Sequence, residues 1–126
     1  MDFKNRTMQE IWEHHGKSLA ARDAEEFIKD FTDDVIFINN PSGGHASGVF
    51  NGQQGVAKWC KEFFALFGKI QDFIVADTYF KDNIVVVEWE INSATHRVRG
   101  GVDTFIVEDG QFKIVTVVYQ VSEKGA

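Results

Sequence analysis

Asp103 is the side chain in this sequence with the most to explain. It stands in Arg97-Val-Arg-Gly-Gly-Val-Asp-Thr-Phe-Ile-Val-Glu-Asp-Gly110, a run whose alternation marks a strand. Successive strand side chains point to opposite faces, so Asp103 shares a face with Phe105 and Val107. Of the two nearby arginines, Arg99 is read on that same face. A carboxylate there either meets water and discourages edge pairing, or sits in an apolar pocket. In a pocket, lost solvation raises its pKa, leaving a neutral hydrogen-bond donor or an acid poised near neutral pH.

Histidine is the other residue type able to move protons near pH 7. His14 and His15 lie in a helical stretch, and a period of 3.6 residues turns neighbours about 100° apart, so only His15 is expected to face inward. It is read either as a core histidine bonded to backbone or as a second polar group across a pocket from Asp103. His45 and His96 are isolated. No His-x-x-x-His pair or paired cysteines occur, so no metal site is expected. Gly-x-Ser-x-Gly is absent as well, which removes the usual signature of a serine nucleophile. Gly43-Gly44 and Gly100-Gly101 are too short to cradle phosphate and read as backbone bends, the second helping a sheet to curl.

The elements that must position these groups are legible in order. Met8, Ile11, Trp12, His15 and Leu19 fall at helical spacing over residues 8–22. Asp23 with Glu26 reads as a capping box opening a second helix, whose buried side is Phe27, Ile28 and Phe31 and which Thr32-Asp33-Asp34 ends. Residues 35–38 make a short strand, followed by a loop from Pro41 to about Gly52. Val56, Trp59, Cys60, Phe63, Phe64 and Phe67 then give the heaviest helical stripe, stopped at Gly68. The remainder reads as four strands, 70–80, 84–96, 98–107 and 112–121, joined by tight turns at 81–83 and 108–110 and therefore antiparallel. On the last strand Phe112, Ile114 and Val118 are expected on one face, and Val115, Val117, Tyr119 and Val121 on the other. Both faces are apolar, which predicts a second cover, most simply another subunit. The fold class is α+β, one domain over residues 1–126, with the helices against a curled, mainly antiparallel sheet.

Composition limits the function. The chain has 126 residues, 44% of them hydrophobic and 25% charged, and a net charge of −6 with a pI near 5.1. It would repel a phosphate backbone, so nucleic acid is not expected as a partner. No apolar run reaches the roughly 20 residues that span a bilayer. One cysteine, Cys60, fits a reducing compartment, and a cytoplasmic location is expected. Twelve Phe, three Trp and two Tyr suit a core, a small-molecule pocket or an interface. Trp12, Trp59, Phe63, Phe67, Trp89 and Phe105 stand at core spacing, and their bulk favours an apolar or aromatic ligand if a cavity remains.

Two passages resemble a known superfamily. Residues 23–37, Asp-Ala-Glu-Glu-Phe-Ile-Lys-Asp-Phe-Thr-Asp-Asp-Val-Ile-Phe, resemble the second-helix-to-first-strand passage of nuclear transport factor 2-like proteins. Residues 100–110 resemble their final hairpin, especially in SnoaL-like polyketide cyclases and ketosteroid isomerases. The resemblance implies a cone of three helices and a strongly bent sheet around an apolar pocket, commonly dimeric through the sheet's outer face. It implies that Asp103 is the pocket aspartate, acid/base in cyclases and oxyanion donor in isomerases. It places His15 where isomerases carry a helix-borne tyrosine, Asn40 where they carry the proton-moving aspartate, and His96 where cyclases carry a strand histidine. An amide is no general base at neutral pH, so isomerase chemistry by that route is not expected. The resulting expectation is a cofactor-free domain that takes an apolar, carbonyl-bearing molecule, with Asp103 and His15 catalytic and Asn40, His96, Trp12, Trp59, Phe63, Phe67, Trp89 and Phe105 binding. The rival is a non-catalytic module for ligand sensing or protein association.

Overall fold

A computed structural model describes residues 3–43 and 47–124. His45 and Gly44, weighed above, lie outside the described residues. Helix α1, Met8–Ala21, opens on a full capping box: the Thr7 hydroxyl accepts the Glu10 N–H, and the Glu10 carboxylate accepts the Thr7 N–H. It ends at Arg22, whose left-handed backbone returns its N–H to the carbonyls of Ser18 and Leu19. Helix α2, Ala24–Phe27, uses only half of the expected box. Asp23 accepts the Glu26 N–H, but the Glu26 carboxylate turns instead to His14 and Lys29.

A 3-10 turn, Ile28–Asp30, follows, and then strand β1, Phe31–Ser42. Phe31 is therefore a strand residue, and Thr32-Asp33-Asp34 belongs to the strand rather than to a helix end. Strand β2, Gly48–Asn51, stands where a loop was expected and pairs antiparallel with β1. Helix α3, Gly52–Phe67, lays Trp59 against Phe37 and Phe63 against both Trp89 and Tyr119. Strands β3 (Ile70–Lys81), β4 (Ile84–Ser93), β5 (His96–Glu108) and β6 (Gln111–Glu123) form the meander read from sequence.

One sheet holds all six strands in the order β2-β1-β6-β5-β4-β3. β1 and β6 are parallel and every other pair antiparallel. Register shifts bend and twist it, and two of them re-aim side chains. At Gly100, which has a positive φ of 62°, the shift between Arg99 and Val102 reverses the alternation. Val98 and Gly101 are buried and Arg99 is exposed, so Arg99 is not on the Asp103 face. Near the start of β6, Val107 pairs with Phe112 while Ile106 pairs with Ile114. That skip sends Phe112 into the core with Val115, Val117 and Tyr119, not outward with Ile114 and Val118.

The helices cover one face of the sheet, and the core between them contains Phe27, Phe31, Phe37, Trp59, Phe63, Trp89, Phe105 and Tyr119. The outer face keeps Ile36, Ile38, Val102 and Val118 exposed on the adjacent strands β1, β6 and β5. Both faces of β6 thus carry apolar side chains. No helix among the described residues is long and apolar enough to cross a membrane.

Candidate functional site

Asp103 lies on β5 opposite Val87 of β4, and its diagonal neighbour Trp89 lies opposite Gly101. A glycine is required there by space. A Cβ at position 101 would stand 2.5 Å from two indole atoms of Trp89. With no side chain beneath it, the indole lies along the strand and donates its Nε1–H to Asp103 Oδ1 at 2.7 Å. On its other side Trp89 stacks against Phe73, with centroids 5.9 Å apart.

Asp103 and Trp89 face a cavity of about 30 Å³ whose walls also include His15, Phe27, Trp59, Phe63 and Phe105. Asp103 is the one carboxylate among its lining residues. By surface exposure Asp103 is half-buried, and because it lines this cavity its open side faces apolar walls rather than bulk water. Burial therefore pushes its carboxyl up to about 7, outweighing the Trp89 N–H, which favours the carboxylate. At neutral pH both forms of Asp103 are populated.

His15 is set among rings, with Trp12, Phe27, Phe105 and Phe112 centroids 5.0 to 5.3 Å away. Its imidazolium is disfavoured first by burial and then by the neighbouring His14, and its pKa falls to about 3. It is a neutral imidazole, able to donate or accept one hydrogen bond at each nitrogen but not to act as a cationic acid. Nδ1 is buried and has no hydrogen-bond partner among the described residues. Buried polar groups of this kind cost free energy until something pairs with them.

The sequence-derived candidates divide in three. His15, Trp59, Phe63, Trp89, Asp103 and Phe105 line one cavity. Trp12 and Phe67 lie one layer away: Trp12 packs on His15, Phe80, Phe105 and Phe112, and Phe67 on Phe63 and His96. Asn40 and His96 are not among the lining residues. Asn40 is exposed on β1, paired in register with the exposed Val118 of the outer face. The inward amide is Asn39, which is buried and donates to the Tyr119 hydroxyl at 3.0 Å. His96 is at the start of β5, its Nδ1 2.8 Å from the Thr95 hydroxyl.

Sequence reasoning missed the Trp89–Asp103 bond and the lining roles of Leu19, Phe27, Phe37, Phe73 and Val117. The bond had a signal: a glycine two residues before the aspartate, able to face an aromatic on the neighbouring strand.

His14 is not solvated. Its ring bridges Asp30 at 2.7 Å and Glu26 at 2.9 Å, and Arg6 reaches the same Asp30 oxygen at 2.8 Å. Burial lowers the His14 pKa, but the bonds to Glu26 and Asp30 outweigh it and raise the value overall. This cluster anchors the N-terminal segment.

The SnoaL-like domain matches residues 12–117. The chain belongs to the SnoaL-like domain family. No curated protein matches the sequence. Solved structures share the fold of this SnoaL-like domain at low identity. An NTF-2 like protein of unknown function from Burkholderia xenovorans superposes with a TM-score of 0.69 at 17% identity, covering 89% of this chain and 81% of its own. A Kribbella flavida protein with a provisional ketosteroid isomerase assignment gives 0.67 at 18%, covering 87% and 75%. A Catenulispora acidiphila protein with a ketosteroid isomerase-like fold, in complex with trimethylamine, gives 0.68 at 11%, covering 90% and 88%.

Proposed function

We propose that this SnoaL-like domain binds a small apolar or aromatic molecule bearing a carbonyl, and that Asp103 moves a proton to or from it without a cofactor. Isomerisation, cyclisation and dehydration are the reaction types such a step serves. The carrying observation is a carboxyl group held by the Trp89 N–H within an apolar cavity, where both of its protonation states are accessible at neutral pH. Protonated, Asp103 donates to a carbonyl oxygen. Ionised, it takes a proton from the adjacent carbon. His15 supplies a further polar group without adding charge. Asn40 and His96 have no part in this arrangement.

The test is a carboxyl-resolved NMR titration of Asp103 with a thermal-shift screen of steroids, polyketide-like ketones and aromatic acids. The expected outcome is a midpoint near 7 and a specific shift that Asp103→Asn abolishes. An ordinary carboxyl midpoint, or a shift indifferent to the substitution, would sink the assignment.

The cavity's size favours a second reading. About 30 Å³ accommodates a water or two, not a drug-sized ligand. If it stays closed, the domain serves non-catalytic ligand sensing or protein association. The exposed Ile36, Ile38, Val102 and Val118 suit a homodimer through the outer sheet face, and the lone buried Cys60 suits a cytoplasmic setting.

A further inference from the structure

The inner face of β3 is left open where the rest of the sheet is covered. Phe73, Val75 and Phe80 pair with Ile91, Trp89 and Val85, all buried, and so point to the helical side of the sheet. Yet each of the three is exposed. Between this bare strip and α1 lies a depression of about 430 Å³, walled by Gly16, Leu19, Phe64, Phe73 and Val75 with Arg22 beside them. Leu19 and Phe73 line both this depression and the Asp103 cavity, and are the partition between them. The outer space is within the range of small-molecule sites, roughly 300–1,000 Å³, whereas the inner one holds little more than water.

Arg22 gives this vestibule its chemistry. Its Nη1 donates to the Gly68 carbonyl at 2.8 Å and its guanidinium lies 5.0 Å over the Phe64 ring. Among the described residues no carboxylate pairs with it. It is held by a carbonyl and a ring, so less side-chain freedom is lost when an anion joins it. Its backbone is left-handed at φ 53°, a conformation that ordinarily favours glycine or asparagine.

We infer that the vestibule takes a flat amphipathic carboxylic acid, its carboxylate on Arg22, its aromatic or alicyclic body against Phe64 and Val75, and its carbonyl end passing Phe73 to reach Asp103. This rests on the cavity reading above and gives it a substrate class. Phe73 belongs to an edge strand with a register shift between Val75 and Asp77 and lines both spaces, so displacing its ring from Trp89 would join them. The net charge of −6 repels anions in general, so a fixed guanidinium beside an apolar wall confers selectivity.

The experiment uses two probes and tryptophan fluorescence. One is acetylnaphthoic acid with its ketone and carboxylate at opposite ends, and the other is acetylnaphthalene, the same ketone without the acid. The acid is expected to bind roughly tenfold tighter than the neutral ketone. Arg22→Gln should bring the acid down to the ketone's affinity and leave the ketone unchanged, and Arg22→Lys should recover part of the difference. Phe73→Ala should accelerate association of both probes several-fold. An acid-to-ketone ratio that survives Arg22→Gln, or failure of both probes to bind, overturns the inference. An unchanged association rate in Phe73→Ala removes Phe73 as the partition. Asp103→Asn separates the two claims. If the acid's affinity depends on Arg22 and both association rates depend on Phe73 as stated, but neither probe's affinity responds to Asp103→Asn, the vestibule stands and the cavity reading falls.

Discussion

The Asp103 carboxyl and the His15 imidazole share one cavity and are shifted in opposite directions by the same cause, burial in an apolar wall. Each shift is also a statement about stability. Asp103 rises from an ordinary 3.8 to about 7, so between those values the folded chain holds a proton that the unfolded chain has lost. Its contribution is fully present below pH 3.8 and disappears as pH rises through 7. His15 falls from 6.5 to about 3, so its contribution is present above 6.5 and is lost as pH falls toward 3. Asp103→Asn, which cannot ionise, should therefore be more stable than the parent at pH 8 by on the order of 2–4 kcal/mol, and by much less at pH 4. Urea denaturation at the two pH values measures this, and an equal effect at both would contradict the assigned shift. In catalysis, a rate that falls as pH rises through 7 would mark Asp103 as donor, and one that rises would mark it as base.

The strand that carries Asp103 works only with its neighbour. Gly101 leaves the space in which the Trp89 indole lies, and the indole in turn fixes the carboxylate. Gly101→Ala places a methyl group 2.5 Å from the ring, and overpacking of that kind costs about 1–3 kcal/mol. The expected result is lower stability together with a changed Trp89 fluorescence and an Asp103 titration freed from the Trp89 bond. Normal behaviour in all three would remove Gly101 as the determinant. Arg6 and His14 converge on Asp30, which is completely buried. Burial raises the Asp30 pKa and the two cationic partners partly oppose this. Asp30→Ala strands Arg6 in the interior and should cost about 3–5 kcal/mol. Thermal unfolding at pH 7 checks it. The loss should exceed that of Glu26→Ala, whose carboxylate is partly exposed.

For the whole molecule, the outer sheet face carries the remaining prediction. Ile36, Ile38, Val102 and Val118 are exposed apolar side chains on the outer face of the adjacent strands β1, β6 and β5. Light scattering at micromolar concentration should report a dimer, and Ile38→Lys combined with Val118→Lys should yield a monomer that retains its fold. A monomeric parent would leave that surface to another partner. Dimerisation through this face would leave the vestibule, on the helical side, open to ligand.

Local pattern determined most of the architecture. The apolar spacing of α1 and α3, the Asp-Gly turn before β6 and the alternation through Asp103, Phe105 and Val107 are short-range properties, and each element formed close to where its residues placed it. Burial of His15 followed from the same arithmetic. What local pattern misplaced lies at breaks in periodicity. A register shift at Gly100 turned Arg99 outward, another sent Phe112 inward, and the alternation along β1 put Asn39 rather than Asn40 on the buried face. Strand β2 and the strand conformation of Thr32-Asp33-Asp34 depend on pairing within the sheet, which intrinsic propensity does not encode. The tertiary structure alone decided the state of Asp103. A carboxyl is displaced to about 7 only by the walls that desolvate it, and those walls come from α1, α2, α3 and four strands distant in sequence. From sequence Asp103 was a strand carboxylate with two readings, and packing made it the one carboxylate lining an apolar cavity.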